Sequence, residues 1–531
     1  MDSESDSVRR AEQGARPLRQ GLYRFGLAGL LALTSWSAAP QTPPPDPADP
    51  ADDDPPITLP AADDPDIAQS LERRLAYTQS LAESDDGDCT ARLSEVQRQH
   101  DLAAADPSLD ILISQGQARL ANIEYRLHLG RASCGAGAAP RKDELLAAID
   151  AAWRGVSLYR AGYDYASMAV MQYGVAAGWR LLGDTDKAVA ALEATIAMDA
   201  EFGFAEDAED NSKVLQGWKG QAVDAAQTLS PIPKRSVTLK FAWEPRDADV
   251  TVQADYLGLE GGRPVHGTAS TRLIRHIRAD EDGWVLSSEA TDRRYNFGDW
   301  QDRSAKSMVR TIVAQAAEQM WPPDLKVGSD GGFKDTVEPA GTAVALTDDV
   351  NKVSRELQLD READVDLTSA FGRSMQLLAQ PAGIRAKAAE DYTLAISAWI
   401  DATLDQGVWY EMKAPLLLPG IATLVDHDIQ FAYARPVPCT SPATEANCAE
   451  ILVHATPDQD DLKERLDYMQ RGLRLKQPIR YAAATDLRLV VDPARLLTHA
   501  SDLRRHWYLG IDGKGEPLVG AEKVVSTWMY R

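Results

Sequence analysis

Leu229-Ser230-Pro231-Ile232-Pro233-Lys234-Arg235-Ser236-Val237-Thr238-Leu239-Lys240-Phe241-Ala242-Trp243 is where this 531-residue chain changes its period. Before it, apolar residues recur every three or four positions. After it, Val237, Leu239, Phe241 and Trp243 alternate with Thr238, Lys240 and Ala242. A period near 3.6 lines up one stripe of a helix, and a period of two lines up one face of a strand. Pro231 and Pro233 cannot supply a backbone N–H, so the helical pattern ends there. The chain therefore reads as multidomain. An all-α domain of helical hairpins (residues 66–230) precedes an α+β domain with a curved antiparallel sheet and helical insertions (residues 236–531).

Upstream, Leu109, Leu112 and Ile113 and then Leu120, Ile123 and Leu127 keep the helical period. Asp85-Asp86-Gly87, Asp106-Pro107, residues 135–140 and Gly183-Asp184 supply turns. This predicts about seven helices paired as antiparallel hairpins. Within residues 163–200, Ala176 is a small residue where two helices approach and Gly183-Asp184 makes the turn. Ala188, Leu192, Thr195 and Ile196 form an inner face, and Trp179 is the aromatic residue of the first helix. This hairpin resembles a tetratricopeptide repeat. Gln172 stands where that family favours Trp, and Ala200 where it favours Pro. No copy recurs at an offset of about 34 residues. A generic helical hairpin is the other reading. The resemblance implies a scaffold that recruits a protein partner, with Gln172 and Trp179 toward a partner groove.

Downstream, Val250, Val252, Ala254 and Tyr256 alternate, then residues 268–278 and 284–290, with Gly261-Gly262 and Asp282-Gly283 between them. Such runs predict an antiparallel meander. Helical signals follow at 304–320, 348–359 and 386–404. Strands resume with Ile429, Phe431 and Tyr433, then 451–454, a helix marked by Leu462, Leu466 and Met469, and runs at 479–491, 503–511 and 522–530. In arrangement alone this order is similar to the open half-barrels of periplasmic carrier proteins.

The N-terminus places Arg9, Arg10, Arg16, Arg19 and Arg24 before the apolar run 25–33. Ser35, Ser37, Ala38 and Ala39 come next. That is the order of a secretory signal peptide (residues 1–39), cut after Ser37 or Ala39. A Pro/Asp-rich leader expected to be disordered fills residues 40–65. An uncleaved anchor and, from Arg9-Arg10, a twin-arginine signal are the alternatives. The mature chain is expected to carry no membrane span and to work in the periplasm or outside the cell. With 80 acidic against 56 basic residues, its net charge is −24. Such a surface repels phosphate backbones and argues against nucleic acid as a partner. In an exported chain, four cysteines imply the disulfides Cys89–Cys134 and Cys439–Cys448.

No chemistry declares itself. The histidines are scattered, and there is no P-loop, dinucleotide fingerprint, nucleophile elbow or metal-ligand spacing. Asp426-His427-Asp428 lies on an alternating run, where neighbours face opposite sides. Asp360, Glu362, Asp364 and Asp366 resemble a calcium loop, but Val365 and Phe371 occupy its Gly and Glu positions. Gly513-Lys514-Gly515 reads as a hairpin turn, and His499 and His506 as surface residues at a strand start. No catalytic residue, metal site or cofactor is assigned. The aromatics of the second domain, among them Trp243, Trp284 and Trp528, either fill its core or line a cavity for an apolar or amphiphilic ligand. The expected function is a non-enzymatic exported scaffold or binding protein. The alternative is a cell-envelope hydrolase with its site at the domain junction.

Overall fold

The computed structural model describes residues 71–84, 88–105, 109, 113–134, 141–220, 235–260, 263–296, 312–313, 315–316, 322–356, 380–419, 423–440, 447–472, 475–511 and 514–531, with the short segment Arg16–Pro17. The rest of the signal and leader, the 357–379 stretch with its acidic series, the Gly513 turn and most of 304–320 lie outside the described residues, as does the break at 221–234.

The described residues divide into two compact units: those within 71–200 with 206–220, and those within 235–531 with Arg16–Pro17 and Glu201–Ala205. The first is helical. Among its described residues run α1 (Leu71–Glu83), α2 (Cys89–Ala104), α3 (Ile113–Ser133), α4 (Lys142–Ala161), α5 (Tyr165–Leu181), α6 (Thr185–Phe202) and α7 (Ala205–Trp218). Neighbouring helices pack on one another, as in a helical repeat in general. Small residues set the closeness: a Cβ on Gly178 of α5 would lie 2.5 Å from Ile149 of α4, and one on Gly155 of α4 would lie 2.6 Å from Met171 of α5. The turn into α6 has Gly183 at φ 84°, a left-handed conformation that suits glycine. Asp184 then caps the helix by accepting from the Lys187 backbone N–H at 3.2 Å.

The second unit is built on one 12-stranded antiparallel sheet that does not close into a barrel. Its long hairpins are β2 (Arg246–Glu260), β3 (Arg263–Asp280) and β4 (Gly283–Asn296), followed by the short β5 (Leu325–Gly328) and β6 (Phe333–Thr336). A second meander comprises β8 (Trp409–Leu417), β9 (Leu424–Pro438), β10 (Asn447–Pro457), β11 (Ile479–Asp492), β12 (Leu497–Ile511) and β13 (Lys514–Tyr530). The spatial order is Arg16–Pro17, β8, β9, β10, β11, β12, β13, β2, β3, β4, β5, β6. The last strand thus joins the two meanders, with Val524 opposite Ala254 and Tyr530 opposite Ala248. Along β2, Ala248, Val250, Val252, Ala254 and Tyr256 are buried, and Thr251, Gln253 and Asp255 between them are exposed. This alternation buries one face of the sheet. Helices α8 (Pro339–Glu356), α9 (Pro381–Ala395) and α10 (Gln459–Gly472) complete the unit.

Three expectations are corrected here. Of the opening run, only β1 (Ser236–Thr238) forms a strand. It pairs with β7 (Thr403–Asp405) in a separate two-stranded ladder, not with the meander. Leu239 and Trp243 are buried as their alternation requires; the Leu239 N–H still donates to the Ala402 carbonyl at 2.9 Å and the Lys240 N–H to the Pro493 carbonyl at 2.8 Å, but the ladder ends at Thr238. The helix read at 386–404 is α9, set earlier because Pro381 suits a first helical turn. It gives way after Ala395 to a 3₁₀ turn, Ser397–Trp399. The helix read at 348–359 begins at Pro339 for the same reason.

Candidate functional site

Both expected cysteine pairs are bonded. Cys89, the first residue of α2, meets Cys134 just after α3, with Cα atoms 6.0 Å apart. Asp88 caps α2 through the Thr90 N–H at 2.9 Å, so the bridge holds a fixed helix start. Cys439 and Cys448 close the β9–β10 hairpin at 5.1 Å. Thr440 ties that loop to β12 and β13, its hydroxyl 3.2 Å from the His499 carbonyl and 3.0 Å from the Trp528 carbonyl. His499 is 1% exposed, so it is an inward residue of β12 and not the surface residue its sequence position suggests. The two sulfurs and the His499 ring sit within 4.8 Å of one another. A metal would need thiolates there, and the disulfide has consumed them.

Gln172 does not face a groove. It is 1% exposed, and its amide Nε2 donates to the Ala191 carbonyl of α6 at 3.4 Å. The position points between the helices of its hairpin, so the expectation of a partner contact there is corrected. Trp179 is half-buried beneath Lys187, whose Nζ lies 4.1 Å from the ring centroid.

A cavity of about 260 Å³ on the buried face of the sheet has room for chemistry. Val250 and Val252 of β2, Leu273 and Ile277 of β3, Leu487 and Leu489 of β11 and Val524 of β13 supply its sheet wall. Ile384, Ala388 and Tyr392 of α9 and Leu346 of α8 lie across from them. Trp243, Trp528 and Tyr530 add aromatic surface, whereas Tyr256, Trp399 and Trp507 are core residues elsewhere. Trp243 is held edge-on by Trp284 and Tyr392, with ring centroids 6.4 and 6.3 Å away. Some aromatics of this unit thus line the cavity and others pack away from it, Trp243 doing both.

Four charged side chains reach this cavity: Arg275, Lys387, Asp391 and Arg505. Lys387 pairs with Asp391 one turn along α9. Arg505, on β12, binds Glu390 at 2.8 Å and sits 3.8 Å from Asp391. Glu390 also accepts from the Leu417 backbone N–H at 2.8 Å. Glu522, nearby on β13, is 4% exposed, and burial raises its carboxyl pKa against the opposing pull of Arg505 and Lys387. Burial also lowers the Arg275 pKa. Hydroxyls of Ser501 and Ser526 line the cavity, and no histidine does among the described residues.

Asp426-His427-Asp428 splits as its strand demands. His427 is 2% exposed, with Nδ1 2.8 Å from the Val425 carbonyl, and burial lowers its pKa. Asp428 turns outward to Lys413 at 3.2 Å.

The charged cavity residues escape a motif search, yet the sequence holds a signal for the strand members. Counting by twos, Leu273, Arg275 and Ile277 share one face of β3, and Leu503, Arg505, Trp507 and Leu509 share one face of β12. A charge on the apolar parity of a strand marks a place where the core is interrupted. Lys387 and Asp391 have no comparable mark, because nothing in α9 alone shows which face meets the sheet. No family model matches this sequence, and no curated protein matches it.

Proposed function

We propose that this is an exported, non-enzymatic binding protein whose sheet unit holds a small apolar or amphiphilic ligand. The observation that carries the reading is the cavity of about 260 Å³ walled by aliphatic and aromatic side chains. Its volume is close to the lower end, about 300 Å³, of ordinary small-molecule sites. Two disulfides support an oxidising compartment. They agree with the basic, apolar and small-residue order of the first 39 positions. N-terminal sequencing of secreted material should begin between Ala38 and Gln41, and an intact Met1 in the cytoplasm would reject export.

The helical unit is proposed to recruit a protein partner, as a tetratricopeptide-like hairpin would. Leu146 and Trp153 of α4 are 43% and 48% exposed. Seven residues apart, they share one helix face, and exposed apolar groups in that arrangement suit a partner surface better than Gln172 does.

A hydrolase needs a nucleophile activated by a neighbouring base. The hydroxyl–imidazole contact between Thr440 and His499, 3.3 Å, belongs to a side chain already bonded to main-chain carbonyls, which favours the binding reading. The test is calorimetric titration with octanol, a neutral apolar probe. Val252→Phe, which fills the cavity from β2, should abolish binding without unfolding the protein. Equal binding by the variant, or none by the natural chain, would defeat the reading.

A further inference from the structure

The lining carries three cations and one anion, in a chain whose net charge is −24. Lys387 is answered by Asp391, and Arg505 by Glu390. Arg275 is not answered: among the described residues its guanidinium makes no ion pair or hydrogen bond, and its Nε is buried without a partner. Asp324 and Asp391 are the carboxylates whose charges it feels. Asp324 is engaged with the Ser288 backbone N–H at 2.9 Å, and Asp391 with Lys387. A second cavity residue shows the same deficit. Trp243 is 6% exposed, and its indole N–H has no acceptor among the described residues. Both are donors, and Arg and Trp can do nothing else with those hydrogens. A cavity holding unmet donors, one of them a cation that no described carboxylate pairs, asks for an acceptor that carries negative charge.

We propose that the cavity selects an anionic amphiphile: a medium-length apolar chain ending in an oxyanion such as a carboxylate, with its oxygens on the Arg275 guanidinium. The apolar walls take the chain, and the fork of Arg275 takes the head in a paired geometry that Lys would match less well. The chain is short because 260 Å³ equals about nine waters at their liquid volume of roughly 30 Å³ each. This rests on the binding function proposed above and adds the class of ligand.

The test titrates the full chain with octanoate, octanol and octylamine, and repeats the series on Arg275→Gln and Arg275→Lys. Octanoate should bind about ten- to a hundredfold tighter than octanol, the range for a hydrogen-bonded charge pair, and octylamine should bind least. In Arg275→Gln the octanoate preference should vanish while octanol binding persists; in Arg275→Lys part of the preference should return. Octanol binding as well as octanoate to the natural chain would overturn the inference and leave the apolar-ligand reading standing. A preference that survives in Arg275→Gln would overturn the assignment to Arg275. Binding of none of the three would overturn both. Should Arg275→Gln fail to fold, the ranking on the natural chain still decides the ligand class.

Discussion

Asp199→Asn should remove a pH dependence that the helical unit owes to one carboxyl group. Asp199 lies near the end of α6, 1% exposed, and accepts from Asn211 Nδ2 of α7 at 2.8 Å. Burial pushes its pKa from 3.8 up to about 7, and the Asn211 hydrogen bond only partly opposes that. The unfolded chain releases this proton near pH 3.8, while the folded chain keeps it until about pH 7. Across that window the folded state binds more protons, so stability falls as pH rises and levels off above it. The span of about three units, at about 1.36 kcal/mol each, amounts to roughly 4 kcal/mol. An amide does not titrate, so Asp199→Asn should gain on the natural protein by about that much between pH 4 and pH 7. Urea denaturation followed by far-ultraviolet circular dichroism measures it, because taking the difference between the two proteins cancels every titrating group not coupled to Asp199, Asp207 being the one carboxylate that acts on it. A difference that stays constant with pH would show that Asp199 is ionised in the folded protein, and the reasoning from burial would fail.

Replacing Cys89 and Cys134 by Ser should cost the helical unit about 4 kcal/mol from a loop of 45 residues, and opening Cys439–Cys448 about 2.5 kcal/mol from one of 9, by denaturation of oxidised and variant proteins. Leu192→Ala, at a fully buried site, should cost about 2–5 kcal/mol. Gln172→Glu should also lower the melting temperature, because it puts a carboxylate where the side chain is buried; unchanged stability would return Gln172 to the surface.

The division into helical and sheet units is legible because period is a local property, written every few residues on either side of Ser236. Pairing of Cys439 with Cys448 is legible for the same reason, since a hairpin brings near neighbours together. The cavity is not local. It exists only where the hairpin neighbours Val250 and Leu273 meet Leu489, from the other meander and far along the chain, under α9. Arg275 stands between these cases: its parity on β3 marks it as an inward charge, but only the assembled sheet shows that no carboxylate among the described residues meets it. Gln172 misled because a single repeat-like hairpin does not show which of its polar residues turns inward. The first alternating run misled for a related reason, since burial of Leu239 and Trp243 keeps the period of a strand while the ladder itself ends at Thr238.

The central claim is that the sheet unit's cavity holds an apolar ligand. Native mass spectrometry of the protein purified without detergent tests it most directly. The account predicts a non-covalent small-molecule adduct on the natural chain that is released on unfolding and is absent from Val252→Phe. A natural chain that carries no adduct, and takes up none when incubated with octanoate or octanol, would contradict it.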